Sequence, residues 1–203
     1  MIGVILTDSL SSDEDIVDLV KKVYTADLNG RIAPEQRMLE TEIHSHDQFH
    51  LWNSIVPKAK LKAAFDKYRN EYRDFKADDF AELNNVIVKT GIVLPIGQLL
   101  FHGRGDKLTS FERPVSSSLF PQIAVWHARK HRSHELTGVP IYIYAFKILG
   151  TGVTSCIDFG DSEFGHEYEI LIQADICIHE KKNVELGGDV FLIQCELKSA
   201  TTF

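Results

Sequence analysis

Apolar positions recur at helical spacing through the first part of the chain and at strand spacing through the rest. Ser12 can cap a helix whose first turn carries Asp13, Glu14 and Asp15, where the dipole favours acids. Ile16, Leu19, Val20 and Val23 follow on one face, and Asn29-Gly30 ends the unit. Pro34 suits the first turn of a second helix, which carries Met38, Leu39, Ile43, Phe49, Trp52 and Ile55 until Pro57 stops it. Leu61, Phe65, Tyr68, Tyr72 and Phe75 form a third stripe, flanked by the basic run Lys58, Lys60, Lys62, Lys67, Arg69, Arg73 and Lys76. That run reads as the solvated side of an amphipathic helix. A fourth helix starts near Asp78-Asp79, carries Phe80, Leu83 and Ile87, and closes at Gly91.

Strands dominate the second half of the chain. Gln98 to Phe101 leads through His102 and Gly103 to Arg104 and Gly105, a strand ending in a glycine-flanked arginine. Pro114 to Leu119 holds three consecutive serines, and Pro121 then opens a short helix with Ile123, Ala124, His127 and Ala128. Ile141 to Leu149 is apolar on both faces, as a buried strand is. Val153 to Ile157, Asp175 to His179 and Val190 to Leu197 complete the set, the last with Phe191, Ile193, Cys195 and Leu197 on its core face and Gly187-Gly188 turning into it. Between them lies Glu167-Tyr168-Glu169-Ile170-Leu171-Ile172. Strict alternation there puts Glu167 and Glu169 on one face, roughly 7 Å apart. Two carboxylates side by side on an apolar strand are costly unless they meet a cation, a hydroxyl or a substrate.

These elements predict an α+β fold: a helical segment over residues 1–92 packed on a domain of two packed β-sheets over 93–203, together one structural unit. Composition adds bounds. Of 203 residues, 44% are hydrophobic and 25% charged, ordinary for a globular chain. The net charge of -7 counts against a dedicated nucleic-acid binder. No apolar run is long enough for a membrane span, and the N-terminus lacks the basic start of a signal peptide, so a cytoplasmic location is expected. Cys156, Cys177 and Cys195 are an odd, widely spaced set, each in an apolar context. They read as buried free thiols in a reducing compartment. His46 and His50, four apart on one predicted helix face, lack a third ligand, and no metal site is expected.

Three elements stand in order: an arginine at a strand end, a serine-rich strand start and a Glu-x-Glu strand. Together they resemble the mono-ADP-ribosyltransferases of the R-S-E type, a group that includes bacterial toxins and phage-encoded enzymes. The resemblance covers Leu99 to Leu197. Phe111 to Ala128 is similar to the family's second block, an aromatic before the serine motif and an alanine-bearing helix after it. Glu167-Tyr168-Glu169-Ile170-Leu171 fits the third block. Ser117 stands where the family usually has threonine. The first block is less regular: Phe101-His102-Gly103 precedes Arg104, and an aromatic-His-Gly sequence also resembles the histidine block of the other branch of the superfamily. Arg104 is favoured because the other two blocks belong to the arginine branch, with His102 as its rival.

The resemblance implies NAD as co-substrate, release of nicotinamide, and transfer of ADP-ribose to a macromolecule. By position Glu169 is the catalytic glutamate, stabilising positive charge that develops on the ribose. Ser116 would hydrogen-bond and orient Glu169, and Ser118 lies in the same NAD-binding strand. Arg104 would hold NAD through phosphate or ribose oxygens, and Gly105 would let the backbone approach the nicotinamide amide. Glu167 would orient the acceptor and take its proton. In the family, Glu at this position goes with arginine acceptors, so a protein target is favoured over RNA or DNA. A toxin of this kind would have a cognate inhibitor or antitoxin as a further partner. The other readings are nucleic-acid modification through Lys58 to Lys76 and Arg129-Lys130-His131-Arg132, NAD hydrolysis with water as acceptor, and a non-catalytic β-rich binding module.

Overall fold

Ser12 opens the first helix as the pattern predicts. In the computed structural model, which describes residues 6–7, 9–10, 12–130, 139–159 and 167–199, helix α1 spans Asp13–Leu28. Ser12 Oγ accepts the Asp15 amide at 3.1 Å while the Asp15 carboxylate accepts the Ser12 amide at 3.1 Å, a reciprocal capping box that satisfies two orphan donors. Ile16, Leu19, Val20 and Val23 are all buried, and Gly30 takes a φ of 63° just past the C-cap.

The stretch expected as one helix to Pro57 is two, α2 (Pro34–Ser45) and α3 (Asp47–Asn53). His46 separates them in an extended conformation, and its Nδ1 accepts the Gln48 amide at 3.1 Å. A side-chain cap ends one helix and starts the next here, so His46 and His50 do not share a helix face. Among the described residues no group of three or more His, Cys, Asp or Glu side chains is placed to hold a metal ion. Helix α4 (Ala59–Glu71), a 3-10 turn (Tyr72–Asp74) and α5 (Ala77–Thr90) come next.

Among the described residues eight strands follow: β1 (Ile92–Val93), β2 (Leu99–Arg104), β3 (Val115–Ser118), β4 (Ile141–Ile148), β5 (Thr154–Ile157), β6 (Glu169–Ile172), β7 (Ile176–Gly187) and β8 (Val190–Ser199), with α6 (Pro121–Lys130) between β3 and β4. Their order is β1-β5-β6-β3-β2-β4-β8-β7, antiparallel except for β4 beside β8. The continuity is thinnest at its middle, where β2 and β3 are joined by a single pair, Phe101 opposite Ser118. Two four-stranded halves therefore meet at one point and enclose a shared core containing Phe101, Phe146 and Ile193 from one half and Val115, Ile157, Ile170 and Ile172 from the other. α6 lies on β2, and α1 packs on α6 and β8. The outer face of β5–β6, carrying Cys156 and Leu171, takes α4 and α5 through Leu61, Phe65, Tyr68, Leu83 and Ile87. Helices α4 and α5 thus cover the strand that begins at Glu169.

Two strand expectations change. Val190, Leu192 and Gln194 are buried together with Ile193, Cys195 and Leu197, because α1 covers the second face of β8 and Gln194 Nε2 donates to the Asp13 carbonyl at 2.7 Å. β7 runs on to Gly187 with mostly exposed polar positions, as a sheet edge with one neighbour allows. Cys177 on that edge is exposed, contrary to expectation, whereas Cys156 and Cys195 are buried free thiols.

Candidate active site

The serine strand and the glutamate strand are hydrogen-bonded neighbours. β3 runs antiparallel to β6 with Ser118 opposite Glu169, Ser117 opposite Ile170 and Ser116 opposite Leu171. The register puts Ser118 directly opposite Glu169 and Ser116, the serine expected to orient that glutamate, one strand repeat away. Ser118 Oγ donates to the Glu167 carbonyl at 2.7 Å and accepts the Phe120 amide at 3.2 Å. Ser117 Oγ donates to the Ile170 carbonyl at 2.7 Å. The buried hydroxyls of Ser117 and Ser118 thus clamp the backbone that carries both glutamates. No hydrogen bond joins the Ser116 and Glu169 side chains among the described residues. The Ser116 carbonyl instead accepts from His102 Nδ1 at 2.6 Å. A carbonyl only accepts, so Nδ1 carries the proton. The imidazole fastens β2 to β3 where their backbone pairing ends, and it stacks on Phe146.

Glu167 and Glu169 do not share a strand face. β6 begins only at Glu169, and Tyr168 takes a φ of +46°. That left-handed conformation costs a non-glycine residue about 1–3 kcal/mol and breaks the alternation that the sequence predicts. The Tyr168 ring offsets it by packing among His44, Phe49, Phe120 and Phe159. The two carboxylates then part. Glu167 Oε2 meets His127 Nε2 of α6 at 3.2 Å, and Glu169 Oε2 meets Arg69 Nε of α4 at 2.9 Å.

The sequence pattern assigns neither Arg69 nor His127 to the site. It places Arg69 on a solvated basic face, yet the side chain is 4% exposed and that of Glu169 8%. A signal for this exists in the spacing: Leu61, Phe65 and Arg69 are four apart, so Arg69 lies on the apolar stripe. Its guanidinium stacks over the Phe65 ring at 3.9 Å and donates from Nη2 to the Asp158 carbonyl at 3.0 Å. Asp158, just past β5, also takes Lys62 Nζ at 3.1 Å. Two cations of α4 thus meet two carboxylates of the sheet. Burial holds the Tyr68 phenol well above its usual range, with the Glu169 charge adding to it, and burial pushes the Cys156 thiol up to about 12.

Arg104 ends β2, opposite Tyr142. Its Nε and Nη2 donate to the two carboxylate oxygens of Asp106 at 2.8 and 2.6 Å, a fork-to-fork pair two residues apart. Gly105 lies inside this turn. Gly103, between the two rival first-block residues, has a reason of its own: a Cβ there would lie 1.8 Å from the Ala124 carbonyl oxygen of α6. Of the basic cluster expected after α6, Arg129 is paired with Asp27 of α1, and His131 and Arg132 lie outside the described residues.

This architecture is that of the ADP-ribosyltransferase fold. Exoenzyme S from Pseudomonas aeruginosa, solved in complex with human 14-3-3 protein beta and carba-NAD, superimposes with a TM-score of 0.51 at 14% identity, over 69% of this chain and 74% of that one. The ADP-ribosylating toxin BECa of C. perfringens, solved with NADH, gives 0.50 at 11% identity over 79% of this chain and 48% of its own length, so the present chain spans about half of it. An ADP-ribosyltransferase from Clostridium botulinum gives 0.47 at 13% identity over 70% of this chain and 88% of its own. No protein-family model matches the sequence, and no curated protein matches it.

Proposed function

We propose that this chain is an NAD-dependent mono-ADP-ribosyltransferase of the R-S-E type, transferring ADP-ribose to a protein arginine and releasing nicotinamide. The observation that carries the reading is the register of β3 on β6, which brings the serine motif against the Glu-x-Glu motif within a fold of this class. NAD fits the residue types present: a carboxylate for the ribose, a planar arginine fork for its phosphates, and glycine where backbone must come close. In this reading Glu169 stabilises the positive charge on the ribose as the bond to nicotinamide breaks and its electron pair leaves with the nicotinamide. Arg104 is the anion-binding group, and Asp106 stands in for the anion it would take. His102 is bound to the β3 backbone, which leaves Arg104 the better first-block candidate. Glu167, paired with His127, takes the proton that the attacking guanidinium must lose.

The test is incubation with labelled NAD and cell lysate beside Glu169→Ala, then treatment with protease, nuclease or hydroxylamine. Label that depends on Glu169, resists nuclease and is released by hydroxylamine supports transfer to protein arginine. Loss of label with nuclease moves the acceptor to RNA or DNA. Free ADP-ribose with no labelled macromolecule identifies a hydrolase. A folded wild-type protein that shows no Glu169-dependent NAD consumption refutes the enzymatic reading.

A further inference from the structure

The register leaves Glu169 without the serine contact that its role calls for. Ser116 is opposite Leu171, and the Ser118 hydroxyl is engaged with the backbone of Glu167 and Phe120. The contact to the Glu169 carboxylate comes instead from outside the three motifs. Arg69 Nε donates to Oε2 at 2.9 Å, and both side chains are less than one-tenth exposed. We infer that Arg69 is the positioning residue for Glu169 and that helix α4 is thereby part of the active site. This inference rests on the functional reading above.

Three features make the contact a fixture. The guanidinium is anchored a second time, through Nη2 to the Asp158 carbonyl at 3.0 Å. Its flat face lies on the Phe65 ring at 3.9 Å, in the small core that joins α4 to β5 and β6. Asp158 is itself tied to α4 by Lys62. Arg69 therefore holds the carboxylate from a site whose own geometry is fixed twice over. It occupies one oxygen, Oε2, and Oε1 enters no hydrogen bond among the described residues, so one oxygen remains for a ribose hydroxyl. Breaking a pair this deeply buried at every turnover would leave the Glu169 charge uncompensated, with Arg69 still beside Asp158 at 3.8 Å. α4 accordingly stays in place during the reaction, and the contact is not a cover that swings away. A lysine supplies the charge but lacks the planar fork with which Arg69 meets Glu169 through Nε and the Asp158 carbonyl through Nη2.

The test compares Arg69→Ala and Arg69→Lys with wild type and Glu169→Ala in the full chain, each checked for folding by circular dichroism and assayed for NAD cleavage by nicotinamide release. Misorienting the reacting carboxylate should lower kcat of Arg69→Ala about 100-fold, leave KM for NAD within about threefold because uniform binding is untouched, and cost Arg69→Lys about tenfold. Added methylguanidinium should restore part of the Arg69→Ala activity and none of the Glu169→Ala activity, a rescue that a purely structural role would not give. If Arg69→Ala does not fold, Arg69→Lys decides. A kcat for Arg69→Lys within about twofold of wild type overturns the inference, as does equal loss in kcat and NAD binding. Faster turnover in either variant also overturns it and makes α4 an inhibitory cover. A wild type without Glu169-dependent cleavage removes the functional reading and this inference with it, whereas an active wild type beside unaffected variants removes this inference alone.

Discussion

Replacing Arg69 with methionine keeps an unbranched apolar stem about as far as Nε and deletes the guanidinium with its charge, leaving the Glu169 carboxylate buried without its cation. Two unit charges 2.9 Å apart attract by roughly 6 kcal/mol at an effective dielectric constant of about 20. Much of that is offset by desolvation, and removing one partner of a buried pair typically costs about 3–5 kcal/mol. Arg69 also gives up its bond to the Asp158 carbonyl, so Arg69→Met should lose about 4 kcal/mol of stability. Glu169→Gln should lose only about 2 kcal/mol, because Arg69 keeps Asp158. The double variant, with neither charge left, should lose well under the sum, with a coupling of about 2 kcal/mol or more. Urea unfolding at neutral pH, with m-values compared to confirm a common unfolded state, reads all three. Additive losses, or a loss below about 1 kcal/mol in Arg69→Met, would refute the reading of this pair as a buried, mutually dependent unit.

Gly103→Ala should prevent stable folding at physiological temperature: its Cβ meets the Ala124 carbonyl at 1.8 Å and the Ala128 amide nitrogen at 2.8 Å, both backbone atoms of α6, and expression with thermal melting would show it. Asp106→Asn should free the Arg104 fork and lower KM for NAD by about threefold to tenfold with kcat unchanged, whereas an unchanged KM would remove Arg104 from NAD binding. Ser118→Ala should depress activity more than Ser116→Ala, since Ser118 holds the Glu167 carbonyl, and equal effects would count against the observed register. Cys177 alone should react with a thiol reagent in the native state, and Cys156 and Cys195 only on unfolding. Burial holds those two thiols at about 12 in the folded chain against an ordinary 9.0. Between those values the unfolded chain binds fewer protons, so stability should fall as pH rises through that window.

The helices and the serine and glutamate strands are legible in the sequence because each carries a local signal: a cap, a 3.6-residue stripe, or alternation between turn residues. What sequence does not supply is set by contacts between segments far apart in the chain. His46 looks like a helical residue, but its ring caps α3. Cys177 looks apolar in context, but its strand is an edge. Glu167 and Glu169 alternate in the sequence, yet Tyr168 turns the chain in the left-handed region, a conformation that no local pattern announces for a tyrosine and that the aromatic cluster around it enforces. Arg69 is the sharpest case. Its helical phase is readable, but a basic residue on an apolar stripe is buried only if an acid waits there, and its acid lies 100 positions away.

That distance bears on how the site is organised. The three motifs lie on β2, β3 and β6, and the serine–glutamate contact depends on the short antiparallel ladder between β3 and β6. Beyond that ladder the sheet is continuous with β2 through one residue pair and the His102 side chain. A junction so narrow fixes Arg104 relative to Glu169 weakly by itself. α6 and α4 supply what it lacks. α6 is pressed onto β2 at Gly103 and reaches Glu167 through His127, so it ties the arginine strand to the first glutamate. α4 holds the second glutamate from the opposite side through Arg69. Each glutamate is thus paired with a different helix, and the left-handed Tyr168 turn lies between them. On this arrangement, changes at Glu167 or His127 should alter the choice of acceptor while leaving NAD cleavage in water largely intact, whereas Glu169→Ala should abolish both and changes at Arg69 should lower both together. Transfer and hydrolysis measured in parallel on His127→Ala would separate the two: loss of transfer with hydrolysis retained supports the division of labour, and parallel loss of both refutes it.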